Sequence, residues 1–234
     1  MCLMSTAGRE PGVSTPQLCY ITDRIQFAGD DEQQKRFLLA KIGECAAAGV
    51  DFIQLREKDL STHDLEVLAR MAVAAIPVDS VTKLLINSRT DVALAIGAHG
   101  VHLPANEIPA SEARVIWDRA GRTRAVIGVS VHSRDEVALA EAHGADFALF
   151  GPVFEKEGRQ NPQGIVHLRQ VCHRPHTPHS SMPVLALGGV TTANAQQCVD
   201  AGAAGIAGIR LFQGNDVAEA VTQLRGLGGW RSQK

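Results

Sequence analysis

Short apolar runs alternate along the chain with longer stretches whose apolar residues recur every three or four positions, as strands and amphipathic helices taking turns would. One phrase returns four times, an alanine-rich stretch, a glycine and a brief apolar run, in AAAGVDFIQL, AIGAHGVHL, AEAHGADFALF and VDAGAAGIAGI. Gly49, Gly97, Gly144 and Gly202 sit where a helix would end in the left-handed conformation that a Cβ disfavours, with a strand starting within about two residues. Further strand candidates lie between the phrases, at Leu18 to Thr22, Lys83 to Asn87, Ala125 to Val129 and Pro183 to Leu187, which makes eight β/α units. Helix starts are marked by Ser61 with Asp64, by Ser133 with Asp135 and Glu136, and by Thr191 or Thr192 before Ala193 to Val199. The expected fold class is α/β, a single (β/α)8 TIM barrel over residues 18–227 between a flexible tail at 1–17 and a C-terminal tail at 228–234. The alternative is a doubly wound open sheet, but no G-x-G-x-x-G opens the first helix.

A barrel places its chemistry at the C-terminal strand ends. After Val50 to Ile53 comes Gln54-Leu55-Arg56-Glu57-Lys58, and strand alternation sends Gln54, Arg56 and Lys58 to one face together. Converging cations are costly unless they meet water, a carboxylate or an anionic ligand, so this run predicts an anion site. The other strand ends carry Asp23 and Arg24, then Asn87, Ser88 and Arg89, then His102, then Ser130 and His132. Gly151 with Lys156 and Arg159 follows the sixth strand, Gly188-Gly189 the seventh, and Gly208 to Arg210 the eighth. Loops are polar anyway, so any single residue here argues little; the combined set argues more. At the last two strands, Gly188 and Gly189 let backbone approach a ligand, Thr191 can cap the next helix, and Gly205, Gly208, Ile209 and Arg210 can complete an N–H nest. Barrels commonly bind phosphate between these loops.

Composition narrows the ligand. The chain has 234 residues, 45% of them hydrophobic, and a formal charge of -2 with a pI near 6.5. A core of one large domain is within reach, and neither nucleic acid nor an anionic membrane is attracted in general, so a small-molecule phosphate is the expected partner. Cys2, Cys19, Cys45, Cys172 and Cys198 are odd in number and form no C-x-x-C pair, which reads as reduced thiols in a cytoplasmic protein. No apolar stretch reaches the ~18 residues of a membrane span, and Met1 to Gln17 lacks the apolar core of a secretory signal. His167, Cys172, His173, His176 and His179 look like a metal cluster by composition. They lie between the expected sixth helix and the seventh strand, on the face opposite the expected site, interrupted by Pro175 and Pro178, and read as a solvated loop. Trp117 and Trp230 read as packing residues.

The motifs QLREK, INSR, HGVHLP, IGVSVHS, ADFALFGPVF, PVLALGG and GAAGIAGI, spanning Leu18 to about Leu227, resemble those of the thiamin phosphate synthase/TenI superfamily. The resemblance implies an enzyme of thiamin biosynthesis acting on a thiazole phosphate, and a homodimer, since superfamily members often pair. Synthase chemistry joins hydroxymethylpyrimidine diphosphate to thiazole phosphate through a cationic pyrimidine and expels diphosphate. The family neutralises that leaving group with Gln, Arg, Lys and Asn side chains and with Mg2+ on acidic groups; Gln54, Arg56, Lys58 and Asn87 match the side chains. Three departures weaken the carry-over. Ser88 stands where the synthase motif has the Asp of an Asn-Asp pair, Pro104-Ala105-Asn106-Glu107 replaces Gly-Gln-Glu-Asp, leaving Glu107 as the metal candidate, and Lys156 to Arg159 replaces Thr-x-Thr-Lys.

TenI-like relatives show HLP, SVHS and FG-x-VFE after the fourth to sixth strands, as this chain does at Val101 to Pro104, Ser130 to Ser133 and Phe150 to Glu155. In a characterised branch they are thiazole tautomerases, which need a base and an anchored phosphate but no cofactor. The expectation leans to this tautomerase, with synthase as the alternative and a non-catalytic thiazole or thiamin phosphate binder after it. His132 is the expected base, with His102 as a second candidate; Arg56, Lys58, Ser130 and Arg159 then hold the anionic substrate.

Overall fold

In a computed structural model describing residues 15–122, 124–154, 163–173 and 182–229, the four phrase glycines adopt positive φ, 79° at Gly49, 71° at Gly97, 72° at Gly144 and 93° at Gly202. The chain reverses cheaply at each, because these φ values cost a Cβ roughly 1–2 kcal/mol and glycine nothing of that kind. The strands β1 (Gln17–Ile21), β2 (Phe52–Leu55), β3 (Lys83–Asn87), β4 (Gly100–Leu103), β5 (Val126–Val131), β6 (Phe147–Phe150), β7 (Val184–Leu187) and β8 (Gly205–Gly208) pair in chain order. All the pairs are parallel and β8 returns to β1, so the barrel is closed, as the eightfold alternation predicts. Around it run α1 (Asp31–Ala47), α2 (Thr62–Ala75), α3 (Thr90–Ile96), α4 (Ala110–Arg119), α5 (Arg134–Ala142), α6 (Gly164–Cys172) and α7 (Ala195–Asp200), and after β8 come α8 (Arg210–Gln213) and α9 (Val217–Arg225).

Helix starts follow the caps. Ser61 and Ser133 accept from the N–H groups of Asp64 and Glu136, each cap contributing about 1 kcal/mol. Thr191 and Asn194 exchange backbone-to-side-chain bonds, so α7 begins at Ala195 rather than at 193. β1 also differs from expectation by one residue. Gln17, assigned above to the tail, is its first residue, and Thr22 lies past its end with its N–H still bonded to Gln54 O at 3.0 Å.

Alternation splits the core in two. Outward residues such as Leu18, Ile53, Ile86 and Val101 pack against the helices, while Cys19, Ile21, Phe52, Leu85, Phe147, Leu149, Leu185 and Ala207 fill the barrel interior. The Phe52 and Phe147 rings stack at 4.6 Å across the interior, each buried ring contributing about 1.5–3 kcal/mol. Gly128 makes room for this plug, since a Cβ there would lie 2.4 Å from the Phe147 ring. Above the plug the inward positions turn polar, at Gln54, Asn87, His102 and Ser130, and that change is where the site begins. Trp117 is buried on α4; Trp230 and the histidines His176 and His179 lie outside the described residues. His167 and Cys172 lie within α6 and His173 caps it, rather than in a loop after it, and the His167 and His173 rings bond the backbone carbonyls of Gln163 and Arg169.

Candidate active site

The strand ends open into a cavity of ≈ 600 Å³ whose lining includes Asp23, Gln54, Arg56, Lys58, Asn87 and His102. Strand alternation persists past the end of β2. Gln54, Arg56 and Lys58 line the cavity, whereas Leu55 and Glu57 are buried on the other side. Glu57 accepts from Thr22 Oγ1 at 2.5 Å, from the Arg24 N–H at 3.1 Å and from Arg24 Nη1 at 3.2 Å. Burial holds its carboxyl above the usual carboxylate range, opposed by these donors. Arg24 continues outward to a two-pronged contact with Asp59, at 2.7 and 2.6 Å, and to Asp31 at 3.0 Å.

A hydrogen-bonded chain crosses the cavity floor. Gln54 Nε2 donates to Asn87 Oδ1 at 2.7 Å and meets His102 Nδ1 at 3.0 Å, and Asn87 Nδ2 donates to Ser88 Oγ at 3.0 Å. With both amide hydrogens of Gln54 used, His102 Nδ1 is the acceptor and the ring proton sits on Nε2. Gln54 Oε1 and His102 Nε2 are buried and without a partner among the described residues, an acceptor and a donor on the floor of the cavity. Burial first, and the Arg56 charge second, push the His102 pKa down to about 3, so the ring is neutral at physiological pH and a poor candidate for the base. Ser88 does not line the cavity; it stands at φ 64° and steadies Asn87 through that side-chain bond and the strand through Ser88 N–H to His102 O at 2.9 Å.

His132 is exposed at the rim. Its Nδ1 lies 2.7 Å from the Gly151 carbonyl, which can only accept, so Nδ1 carries a proton and Nε2 is the nitrogen left for a substrate. The His132 N–H is tied to Glu136 at 2.6 Å, and Ser130, Gly151 and Pro152 complete this side of the cavity.

Leu187, Gly188 and Ile209 belong both to this cavity and to a second one of ≈ 520 Å³ between the ends of β7 and β8, lined also by Gly189, Thr191, Gly208 and Arg210. Gly188 and Gly189 have φ of 93° and 65°. A Cβ on Gly188 would sit 2.6 Å from Pro152, so this loop owes its close approach to glycine. Among the described residues, the N–H groups of Gly189, Val190, Ile209 and Arg210 find no backbone or side-chain acceptor. Four such donors around a concavity suit a phosphate.

Glu107 is elsewhere. Its N–H bonds Pro104 O at 3.1 Å, and it lines an adjoining depression of ≈ 120 Å³, with Glu136 and His143, that shares Pro104 and Ser130 with the main cavity. The carboxylate that does line the main cavity is Asp23, which accepts from Gln26 at 2.5 Å. Arg159 and Lys156 lie outside the described residues. Asp23, Glu57, Asp59 and Thr22 thus join the site or its support with no role that residue types alone assign them. The signal for Glu57 and Asp59 was the alternation already used for their neighbours, since acids at the odd positions must face away from cations at the even ones.

A sequence profile described as thiamine monophosphate synthase matches residues 18–212. The chain belongs to that family. A putative thiamine-phosphate synthase of Geobacter sulfurreducens is 44% identical over 193 residues, covering 81% of this chain and 83% of that one. The thiamine-phosphate synthase of Halalkalibacterium halodurans is 36% identical over 213 residues, 86% of this chain and 96% of its own. Among solved structures, a thiamine phosphate pyrophosphorylase from Pyrococcus furiosus superimposes with a TM-score of 0.72 at 28% identity, covering 90% of this chain and 94% of that one. Among the described residues, no helix is long and apolar enough to cross a membrane.

Proposed function

We propose that the protein is a thiamin phosphate synthase, joining hydroxymethylpyrimidine diphosphate to thiazole phosphate with release of diphosphate. This reverses the lean toward the tautomerase. The observation that carries it is the continuity of two anion stations in one space: Arg56, Lys58 and Asn87 on one wall and the glycine N–H groups on the other, joined at Leu187, Gly188 and Ile209. Two phosphorylated substrates need two such stations. The names of the relatives point the same way.

In this reading the bond from the pyrimidine methylene carbon to the diphosphate oxygen breaks, its electron pair leaves with the diphosphate, and the thiazole nitrogen supplies the pair for the new C–N bond. Arg56 and Lys58 receive the growing negative charge, each charge-assisted contact being worth about 1.5–3 kcal/mol. Gln54 Oε1 and His102 Nε2 offer an acceptor and a donor to the ring of the heterocycle. A neutral His102 also adds no charge that would oppose a cationic pyrimidine. The glycine nest holds the thiazole phosphate so that the two reacting atoms meet.

Magnesium needs oxygen ligands and usually takes one or two carboxylates together with phosphate oxygens. Asp23 and the diphosphate are the donors this cavity brings together, a thinner set than the family pattern because Ser88 has no carboxylate and Glu107 lines the adjoining depression. When bound, the ion would supply further neutralisation of the leaving group. The test is a product assay with both substrates: thiamin phosphate and diphosphate should form together and in a magnesium-dependent way. No thiamin phosphate at any magnesium concentration would refute the synthase reading.

One observation favours the second reading. His132 presents Nε2 to the cavity with Nδ1 held on Gly151 O, the arrangement a base needs to move a proton on a carboxylated thiazole phosphate. That activity would survive EDTA and disappear in His132→Ala. The free, buried thiols of Cys19, Cys45 and Cys198 support a reducing, cytoplasmic location.

A further inference from the structure

Arg24 does not line the cavity, yet it is bound to the segment that carries the cavity's cations. Its guanidinium is 4% exposed and holds Glu57, Asp59 and Asp31 at once, from the loop after β2 and the first turn of α1. The same few residues are tied through the backbone. Thr22 Oγ1 donates to Glu57 at 2.5 Å and accepts from the Arg56 N–H at 2.9 Å, while the Arg24 N–H reaches Glu57 at 3.1 Å. Residues 56–59 lie beyond β2 and have no ladder to hold them.

Arg56 and Lys58 carry like charges at alternate positions of this segment and line one cavity, so their placement depends on what holds the segment from its other face. On the opposite face Glu57 and Asp59 are pulled toward one planar, five-donor guanidinium, which fixes both distance and orientation as an ammonium would not. We infer that Arg24 is a positioning residue: by clamping Glu57 and Asp59 it sets where Arg56 and Lys58 stand in the cavity, and so the affinity for a diphosphate group. This rests on reading Gln54 to Lys58 as the wall that binds an anion. A merely structural ion cluster would instead act on stability alone, and buried clusters of that kind contribute little net stability.

The probe is inorganic diphosphate, its affinity measured by calorimetry alongside the thermal midpoint of each variant. Arg24→Lys should weaken binding roughly tenfold, the loss expected when one charge-assisted contact is misplaced, and Asp59→Asn should weaken it roughly threefold. In an Arg56→Met background the effect of Arg24→Lys should shrink to under about threefold, because residues acting as one unit are not additive. Wild-type affinity in Arg24→Lys and Asp59→Asn, or an undiminished effect of Arg24→Lys in the Arg56→Met background, overturns the inference. If Arg24→Lys does not fold, Asp59→Asn, at a half-exposed carboxylate, carries the same comparison. Absence of diphosphate binding by the wild-type protein would instead remove the anion wall itself, an outcome distinct from the failure of Arg24 alone.

Discussion

The mouth of the barrel presents polar groups of two different kinds. Between β1 and β4 it uses side chains, Arg56 and Lys58 over a floor of Gln54, Asn87 and His102; between β7 and β8 it uses backbone, with Gly188, Gly189, Gly208 and Ile209. Side-chain cations act over distance but must be held in place, and here a cluster around Arg24 and Glu57 stands behind them. A backbone nest needs no such support, because its geometry is fixed once the chain can adopt positive φ at Gly188 and Gly189. The first wall should therefore degrade by degrees and respond to salt, and the second should fail at a single added carbon.

Gly188→Ala is the largest break. The new Cβ would lie 2.6 Å from Pro152 at a φ of 93°, combining overpacking with left-handed strain. Urea unfolding should show a loss of ~2–4 kcal/mol, and monophosphate binding should vanish. Gly49→Ala is the control, since its φ is 79° but no atom lies within 4 Å of the added carbon; it should cost only about 1 kcal/mol. Equal costs for the two would show that the close approach at Pro152 contributes nothing.

The side-chain wall yields next. Arg56→Met should weaken inorganic diphosphate ~10–100-fold, the equivalent of ~1.5–3 kcal/mol, with the fold intact. Raising ionic strength should weaken diphosphate binding to the wild-type protein more than monophosphate binding at the nest. An equal salt response at both stations would erase the distinction between them.

How much of this was legible in the sequence follows the same division. The strands and the helix-ending glycines could be read because each rests on local rules, the period of a strand or the φ of a glycine. Gln54, Arg56, Lys58, Asn87, Ser130 and His132 could be read as cavity residues because strand parity continues past the strand end. Three things could not. Where Glu107 stands could not be read because the turn from Pro104 to Glu107 breaks that parity. His102 looked like an exchangeable base until its burial between Gln54 and the Phe147 ring was known. Arg24 and Glu57 are 33 residues apart, and no local pattern joins them.

His102 gives a smaller effect with a definite sign. Its folded pKa is about 3 against 6.5 for the free ring, so the unfolded chain takes up a proton in acid that the folded protein refuses. The stability this provides is complete above pH 6.5 and is lost as pH falls toward 3, at ~1.4 kcal/mol per pH unit. The carboxyls of buried Glu57 and half-buried Asp51, both raised by desolvation, act in the opposite sense, since a folded-state proton on each favours the folded form at low pH. In His102→Gln the amide oxygen can still accept from Gln54, so between pH 6 and pH 4 the wild type should lose ~2–3 kcal/mol more than the variant in urea unfolding. Parallel curves would mean that the ring is charged in the folded protein and that the floor is not the neutral surface described above.

The smallest test bears on where the side-chain wall ends. Ser88 sits at φ 64° beside Asn87 but does not line the cavity, so its identity should matter to the backbone more than to the ligand. Asn tolerates the left-handed region better than Ser and can still accept from Asn87, so Ser88→Asn should raise stability by about 0.5 kcal/mol and leave diphosphate affinity within about twofold. An affinity change beyond that would extend the wall by one residue, through Asn87 to Ser88, and make the hydrogen-bond chain from His102 to Ser88 a single unit that the anion feels as a whole.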